Sequence, residues 1–192
     1  MPEIAPAQDP AEALRAALPD ALLDTHDFRG ETTLVVAPEQ VVTVCRFLRD
    51  SVGLVYNFLS DISAVDYWPE QERPERFGIC YHLLSMLYGR RLRVKIYVAE
   101  DEAEAPTMTG VWPAANWLER EIYDLMGINF AGHPDMRRVL MPTDRDGHPL
   151  RRDYPLGYEQ VQFSFNAEAI MKHKPFATEQ AGSEHGSRAD AG

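Results

Sequence analysis

Between residues 127 and 165 prolines and glycines alternate along the chain: Gly127, Gly132, Pro134, Pro142, Gly147, Pro149, Pro155 and Gly157. Proline lacks the backbone N–H and clashes with the preceding helical turn, and glycine weakens both helix and strand, so no long regular element fits here. Yet Val139-Leu140-Met141, Tyr154 and the aromatics Phe163 and Phe165 lie inside this stretch and need a surface to cover them. A structureless segment of this length is unusual inside a compact domain. The spacing therefore predicts an extended strap, residues 127–165, laid along a second protein.

The rest of the chain can supply a core of its own. Of 192 residues 45% are hydrophobic, enough for one domain with extensions. The formal net charge of −11 excludes non-specific binding to a phosphate backbone. The apolar run over residues 79–88 is broken by His82 and Ser85 and falls short of the ~20 residues of a membrane helix. The start, MPEIAPAQDPAEA, has no basic segment followed by an apolar one, and the expectation is a cytoplasmic protein. Cys45 and Cys80 lie far apart with no Cys-x-x-Cys, so the chain is not expected to hold an iron-sulfur cluster or a Cys-type zinc site alone.

Along the chain, residues 1–10 read as a flexible start, with a short helix after them bearing Leu14 and Leu18 on one face. A polar connection around residues 26–30 leads to a strand at 32–37. Pro38 suits a first helical turn, Val41, Cys45, Leu48 and Val52 recur at helical spacing, and Gly53 closes that helix. Two apolar runs follow, at 54–65 and 77–88, separated by an acidic, Pro-containing piece. After a turn at Gly89-Arg90, Leu92, Val94, Ile96 and Val98 alternate with Arg93, Lys95 and Tyr97, the period of a strand with one buried face. The run before the turn is apolar on both sides, as an interior strand would be. Ala114, Leu118, Ile122 and Leu125 form the apolar stripe of a last helix that Gly127 ends. The expected fold is α+β: a mostly antiparallel sheet of about four strands, helices on one face, and the strap. The expected division is an α+β domain at 11–126, the strap at 127–165 and a mobile tail at 166–192.

The unusual chemistry sits in the last helix and the strap. Glu119-Arg120-Glu121 opens it, with Arg120 and Asp124 four residues apart and able to pair along the helix. Carboxylates beside arginines on a helix surface are as a rule solvated or structurally paired, and that is the first expectation for this face. Gly132-His133-Pro134-Asp135-Met136-Arg137-Arg138 and Gly147-His148-Pro149-Leu150-Arg151-Arg152-Asp153 are near-copies. A metallohydrolase centre on His133, His148 and neighbouring aspartates is the enzymatic alternative, but the spacing fits no ligand pattern and four arginines would repel a cation. Guanidinium forks instead match carboxylates and carbonyls, so Arg137, Arg138, Arg151 and Arg152 are expected to tie the strap to Glu119, Glu121, Asp124 and a neighbouring subunit.

These residues resemble the signature of the C subunit of respiratory complex I, the proton-pumping NADH:quinone oxidoreductase. Glu119-Arg120-Glu121 is followed by Asp124, Leu125-Met126, His133, Arg137 and Val139-Leu140 at the family's spacing, and GHPLRRDYPL, through Arg152, Asp153 and Tyr154, continues it. VWPAANW before and VQFSF after are similar too; Met126, where members often carry an aromatic, is a mild departure. The resemblance implies a peripheral-arm subunit with no cofactor of its own, FMN and iron-sulfur clusters lying in partner subunits. It implies a scaffold bracing the hydrogenase-like D subunit, whose interface with the B subunit forms the quinone pocket, on the cytoplasmic side of the membrane. It also implies that Glu119, Arg120, Glu121, Asp124, His133, Pro134, Arg137, Arg138, His148, Arg151, Arg152, Asp153 and Tyr154 serve the partner interface. The equivalent subunit of a membrane-bound hydrogenase, a deazaflavin-dependent dehydrogenase or a photosynthetic ferredoxin-linked complex carries a similar pattern.

Overall fold

The computed structural model describes residues 5–69, 74–101, 103–144 and 146–155. The chain divides into two compact units, Met1–Arg152 and Asp153–Gly192, and the first carries every element described. The aromatics Phe163 and Phe165 and the tail at 166–192 lie outside the described residues.

Helix α1, Pro10–Ala17, starts where Asp9 accepts the N–H groups of Ala11 and Glu12, both at 2.9 Å, and where Pro10 fits a first turn. Strands β1, Leu22–Phe28, and β2, Glu31–Val36, form a hairpin. Its turn residues Arg29 and Gly30 have φ of 52° and 81°, the left-handed pair that matches strand twist in a two-residue loop. A single 3-10 turn, Pro38–Gln40, leads into α2, Val41–Asp50, whose Val41, Val44, Cys45 and Leu48 are buried. Strands β3, Phe58–Asp66, β4, Phe77–Ser85, and β5, Arg90–Val98, follow. A short β6, Glu104–Pro106, precedes α3, Ala115–Met126, and pairs in parallel with β7, Asn129–Ala131.

The main sheet runs β1-β2-β5-β4-β3; only β2 and β5 pair in parallel, so it is mostly antiparallel. Its covered face offers Leu34, Val36, Ile79, Tyr81, Leu83, Val94 and Ile96 to Val44 and Leu48 of α2 and Ile122 and Met126 of α3 in one apolar cluster. On the opposite face Tyr67 lies over Gly78 and hydrogen-bonds Lys95. A Cβ at Gly78 would stand 3.0 Å from both the Tyr67 ring and Lys95 Cε, so glycine lets the two side chains approach the strand this closely.

The main sheet has one strand more than the periodicity predicts. β1 reads LLDTHDF and is mostly exposed, so hydrogen bonds to β2 define it and hydrophobic alternation does not. The helix predicted through Val52 ends at Asp50, leaving Val52 69% exposed. The strand predicted from residue 54 begins at Phe58, because a turn through Val55, with φ 47°, buries Leu54 and Tyr56 without pairing them.

At the far end of β3 and β4, Arg76 meets Asp66 in a two-pronged bond, Nε to Oδ1 at 2.9 Å and Nη2 to Oδ2 at 2.8 Å, with both side chains 1% exposed. Burial alone would raise the Asp66 pKa. The Arg76 guanidinium and the N–H groups of Arg152 and Trp68 outweigh it and hold the pKa at about 2. Removing one member leaves a buried charge uncompensated. Arg76→Ala is expected to lower the unfolding free energy by about 3 kcal/mol in urea titration; a loss below about 1 kcal/mol would show that the pair is not structural.

Candidate functional site

Successive helical residues point about 100° apart, so Glu119, Arg120 and Glu121 leave α3 in three directions. Glu119 points inward and is fully buried, its Oε1 accepting the N–H of Met108 and its Oε2 the hydroxyl of Thr107 at 2.6 Å. Burial dominates over these bonds and lifts its pKa to about 7. The buried His133 ring stands 4.0 Å from Oε2. Its Nδ1 accepts the N–H of Asp135 at 3.0 Å, so Nε2 carries the proton and donates it to the Asn116 carbonyl at 3.1 Å. His133 thereby fastens the start of the strap to the first turn of α3.

Arg120 points sideways. Its Nε donates to the Arg137 carbonyl at 3.0 Å, and its guanidinium lies 4.7 Å from the Trp117 ring centre. The expected pairing of Arg120 with Asp124 does not form, because Asp124 is committed elsewhere. Asp124 is fully buried; its Oδ2 accepts the backbone N–H groups of Val139, Leu140 and Met141 at 2.9, 2.7 and 2.9 Å, and its Oδ1 takes Arg138 at 2.8 Å. Burial pushes its pKa up, but the N–H groups of Met141, Leu140 and Val139 and the Arg138 guanidinium together bring it below the usual value. One carboxylate thus holds three successive amides of the strap.

The end of α3 is closed by the strap. A helix leaves its last four carbonyls without an internal partner and carries partial negative charge there. Gly127, with φ 72°, donates to the Tyr123 carbonyl at 2.9 Å. The Asp124 carbonyl takes His148 Nδ1 at 2.9 Å, Leu125 takes the Leu150 N–H at 2.9 Å, and Met126 takes Arg151 Nε at 2.7 Å. A Cβ at Gly127 would lie 2.5 Å from the His148 ring, so glycine is required for both conformation and space.

The helix face expected at the surface, with its charges solvated or structurally paired, is interior, and its charges are structurally bonded: Glu119, Arg120 and Asp124 are buried. Of the four strap arginines, Arg138 alone meets one of the three expected carboxylates; Arg151 takes a carbonyl, and exposed Arg137 pairs with Asp135 of its own loop. Pro134 is exposed, Glu121 is exposed with no ion pair among the described residues, and Arg152 contributes its backbone N–H to Asp66. Asp153 and Tyr154 belong to the second unit. His133 and His148 serve different carbonyls of α3, and no group of three or more His, Cys, Asp or Glu side chains among the described residues could hold a metal ion. Sequence reading missed Thr107 and Met108, whose polar groups have no pattern, and Asp66 with Arg76, which bracket the acidic loop between β3 and β4.

The family profile described as the 30 kDa subunit of respiratory-chain NADH dehydrogenase matches residues 34–160. The chain belongs to that family. The C subunit of the NADH-quinone oxidoreductase of Roseiflexus sp. strain RS-1 is 50% identical over 168 residues, covering 88% of this chain and 95% of the relative. Its counterpart in Geobacter sulfurreducens is 52% identical over 136 residues, covering 71% and 82%. Among solved structures, a trypsin-resistant fragment of Nqo5 aligns with TM-score 0.51 and 36% identity over 58% of this chain and 88% of the fragment. A chain of an archaeal membrane-bound sulfane sulfur reductase aligns with TM-score 0.64 and 24% identity over 76% and 84%, a likeness of fold. Members of the family are thus named as parts of an oxidoreductase complex, and the buried Glu119, Arg120 and Asp124 of α3 lie inside the matched residues.

Glu119 sets a pH dependence. Its folded pKa of about 7 lies above the 4.5 of a free glutamate, so the folded chain holds a proton that the unfolded chain releases between those values. Its contribution is full below about 4.5 and is lost as pH rises through about 7. Unfolding free energy should therefore fall from pH 5 to pH 8, and Glu119→Gln should flatten that slope; equal slopes in the two proteins would refute it.

Proposed function

We propose that the chain is a scaffold subunit in the peripheral arm of a proton-translocating NADH:quinone oxidoreductase, bracing the hydrogenase-like D subunit beside the quinone site. The observation that carries this reading is the use of the signature's charges. Glu119, Arg120, Asp124, Arg138, His148 and Arg151 all bond within the chain, while Trp117, Leu140 and Leu150 beside them are 62%, 61% and 57% exposed. Internal bonds hold an apolar surface in shape, as a permanent interface needs. Catalysis would instead call for a polar group free to meet substrate.

On this reading the chain binds no cofactor and contributes no catalytic residue. FMN and iron-sulfur clusters in partner subunits carry electrons from NADH to quinone. The D subunit is the direct partner, with B and other peripheral-arm subunits adjoining, and the place is the cytoplasmic side of the membrane. No helix among the described residues is long and apolar enough to cross a membrane, and membrane attachment comes through the complex.

Interface aromatics in well-packed positions commonly carry 2 kcal/mol or more of binding, so about a tenfold or larger loss is expected from removing one. Trp117→Ala with Leu140→Asp should leave the isolated chain folded, at a cost of about 1 kcal/mol for the lost Trp117–Arg120 contact, yet lower its recovery in the intact complex at least about tenfold. Arg151→Ala should reduce assembled complex more than turnover per assembled complex. Normal assembly with abolished turnover in either variant would point to chemistry at this site and overturn the reading.

A further inference from the structure

Of the three residues that open the signature, two bond within the chain, and Glu121 has no such bond among the described residues. It stands on the rim of a groove of about 180 Å³ between α3 and β3, lined by Asp61, Ile62, Ala64, Glu121, Leu125 and Leu150 among others. Small-molecule sites commonly run to about 300–1,000 Å³, so this groove has room for one long side chain. Its lining is mixed: Ile62, Ile122 and Met126 are apolar and buried, Ser63 is polar, and the charged residues are Asp61 and Glu121, with no lysine or arginine among them.

Both carboxylates are exposed, and the negative charge of Asp61 also acts on His82. At helical spacing Glu121 faces Trp117, Leu118, Asp124 and Leu125, none of which is a base. β3 is one of the two edge strands of the sheet, paired on one side by β4, so its outer backbone carbonyls border the same groove unpaired within the sheet.

We infer that this groove receives a single basic side chain, arginine or lysine, from the subunit packed against α3, with Glu121 as its ion partner. The inference rests on the scaffold reading and names the chemistry of the contact. Buried Ile62, Ile122 and Met126 take the methylene stem and exposed Glu121 takes the charge. A guanidinium meets Glu121 in two-pronged fashion and has donors left over for the carbonyls of β3, which favours arginine. The contact also orients the partner, because a carboxylate left facing an apolar surface would oppose any other docking.

The test is competitive assembly of tagged variant and untagged parent chains in cells producing the whole complex. Glu121→Arg should melt like the parent in isolation and fall at least about tenfold behind it in the purified complex, with Glu121→Gln intermediate. A photo-reactive residue at Asp61 should then label a peptide of another subunit that contains arginine or lysine, and changing that base to glutamate should restore assembly of Glu121→Arg. Parent-like incorporation of Glu121→Arg, or a labelled peptide without a base, overturns the inference. A photo-reactive residue at Leu140 separates the two failures: labelling of another subunit from there keeps the scaffold reading while the groove contact falls, and no labelling from either position removes both.

Discussion

The last turn of α3 ends in four carbonyls that its own helix cannot satisfy, and each finds a donor in the residues that follow. Gly127 turns the chain back in a left-handed conformation, His148 reaches the Asp124 carbonyl because glycine leaves room for its ring, and Arg151 reaches Met126 over the same gap. Two cationic forks at a helix C-terminus also suit the partial negative charge there. A segment whose regular structure among the described residues is the short β7 is thereby fixed by the end of a helix. The proline and glycine pattern that excludes helix lets the strap bend to four successive acceptors.

Asp124 adds the second constraint. A fully buried carboxylate is costly unless it is matched by donors, and here three consecutive amides and one guanidinium match it. The amides belong to Val139, Leu140 and Met141, so satisfying the charge sets the path of the backbone and turns the Leu140 side chain outward. Glu119 works at the other end of the helix, where it joins the loop after β6 and stands beside His133. The acid-base-acid triplet is therefore a three-way junction: inward to the loop, sideways to the strap, outward to the groove.

The strands with strict alternation, above all β5, were legible from sequence, as were the two amphipathic helices and the identity of the strap as a special segment. The edge strand β1 was not, because its pairing rests on backbone bonds that polar side chains do not reveal. The site was half legible. Its residues stood out by type and spacing, and the family they resemble is the one the chain belongs to. Which charge met which did not follow, because spacing of four along a helix proposes Arg120 for Asp124, whereas three backbone amides from a distant segment are stronger competitors that no side-chain pattern records. The burial of Glu119 was hidden for a similar reason: its partners are a hydroxyl and a main-chain N–H.

The central claim is that Asp124 and the end of α3 hold the strap in place before any partner arrives. Amide hydrogen exchange in the isolated chain measures this directly at Val139, Leu140, Met141 and Leu150, whose N–H groups are bonded to Asp124 or to the Leu125 carbonyl. The account predicts slow exchange at all four, with the three amides on Asp124 released together in Asp124→Ala while β4 and β5 remain protected. Exchange of those amides at the rate of an open chain in the parent protein would contradict it.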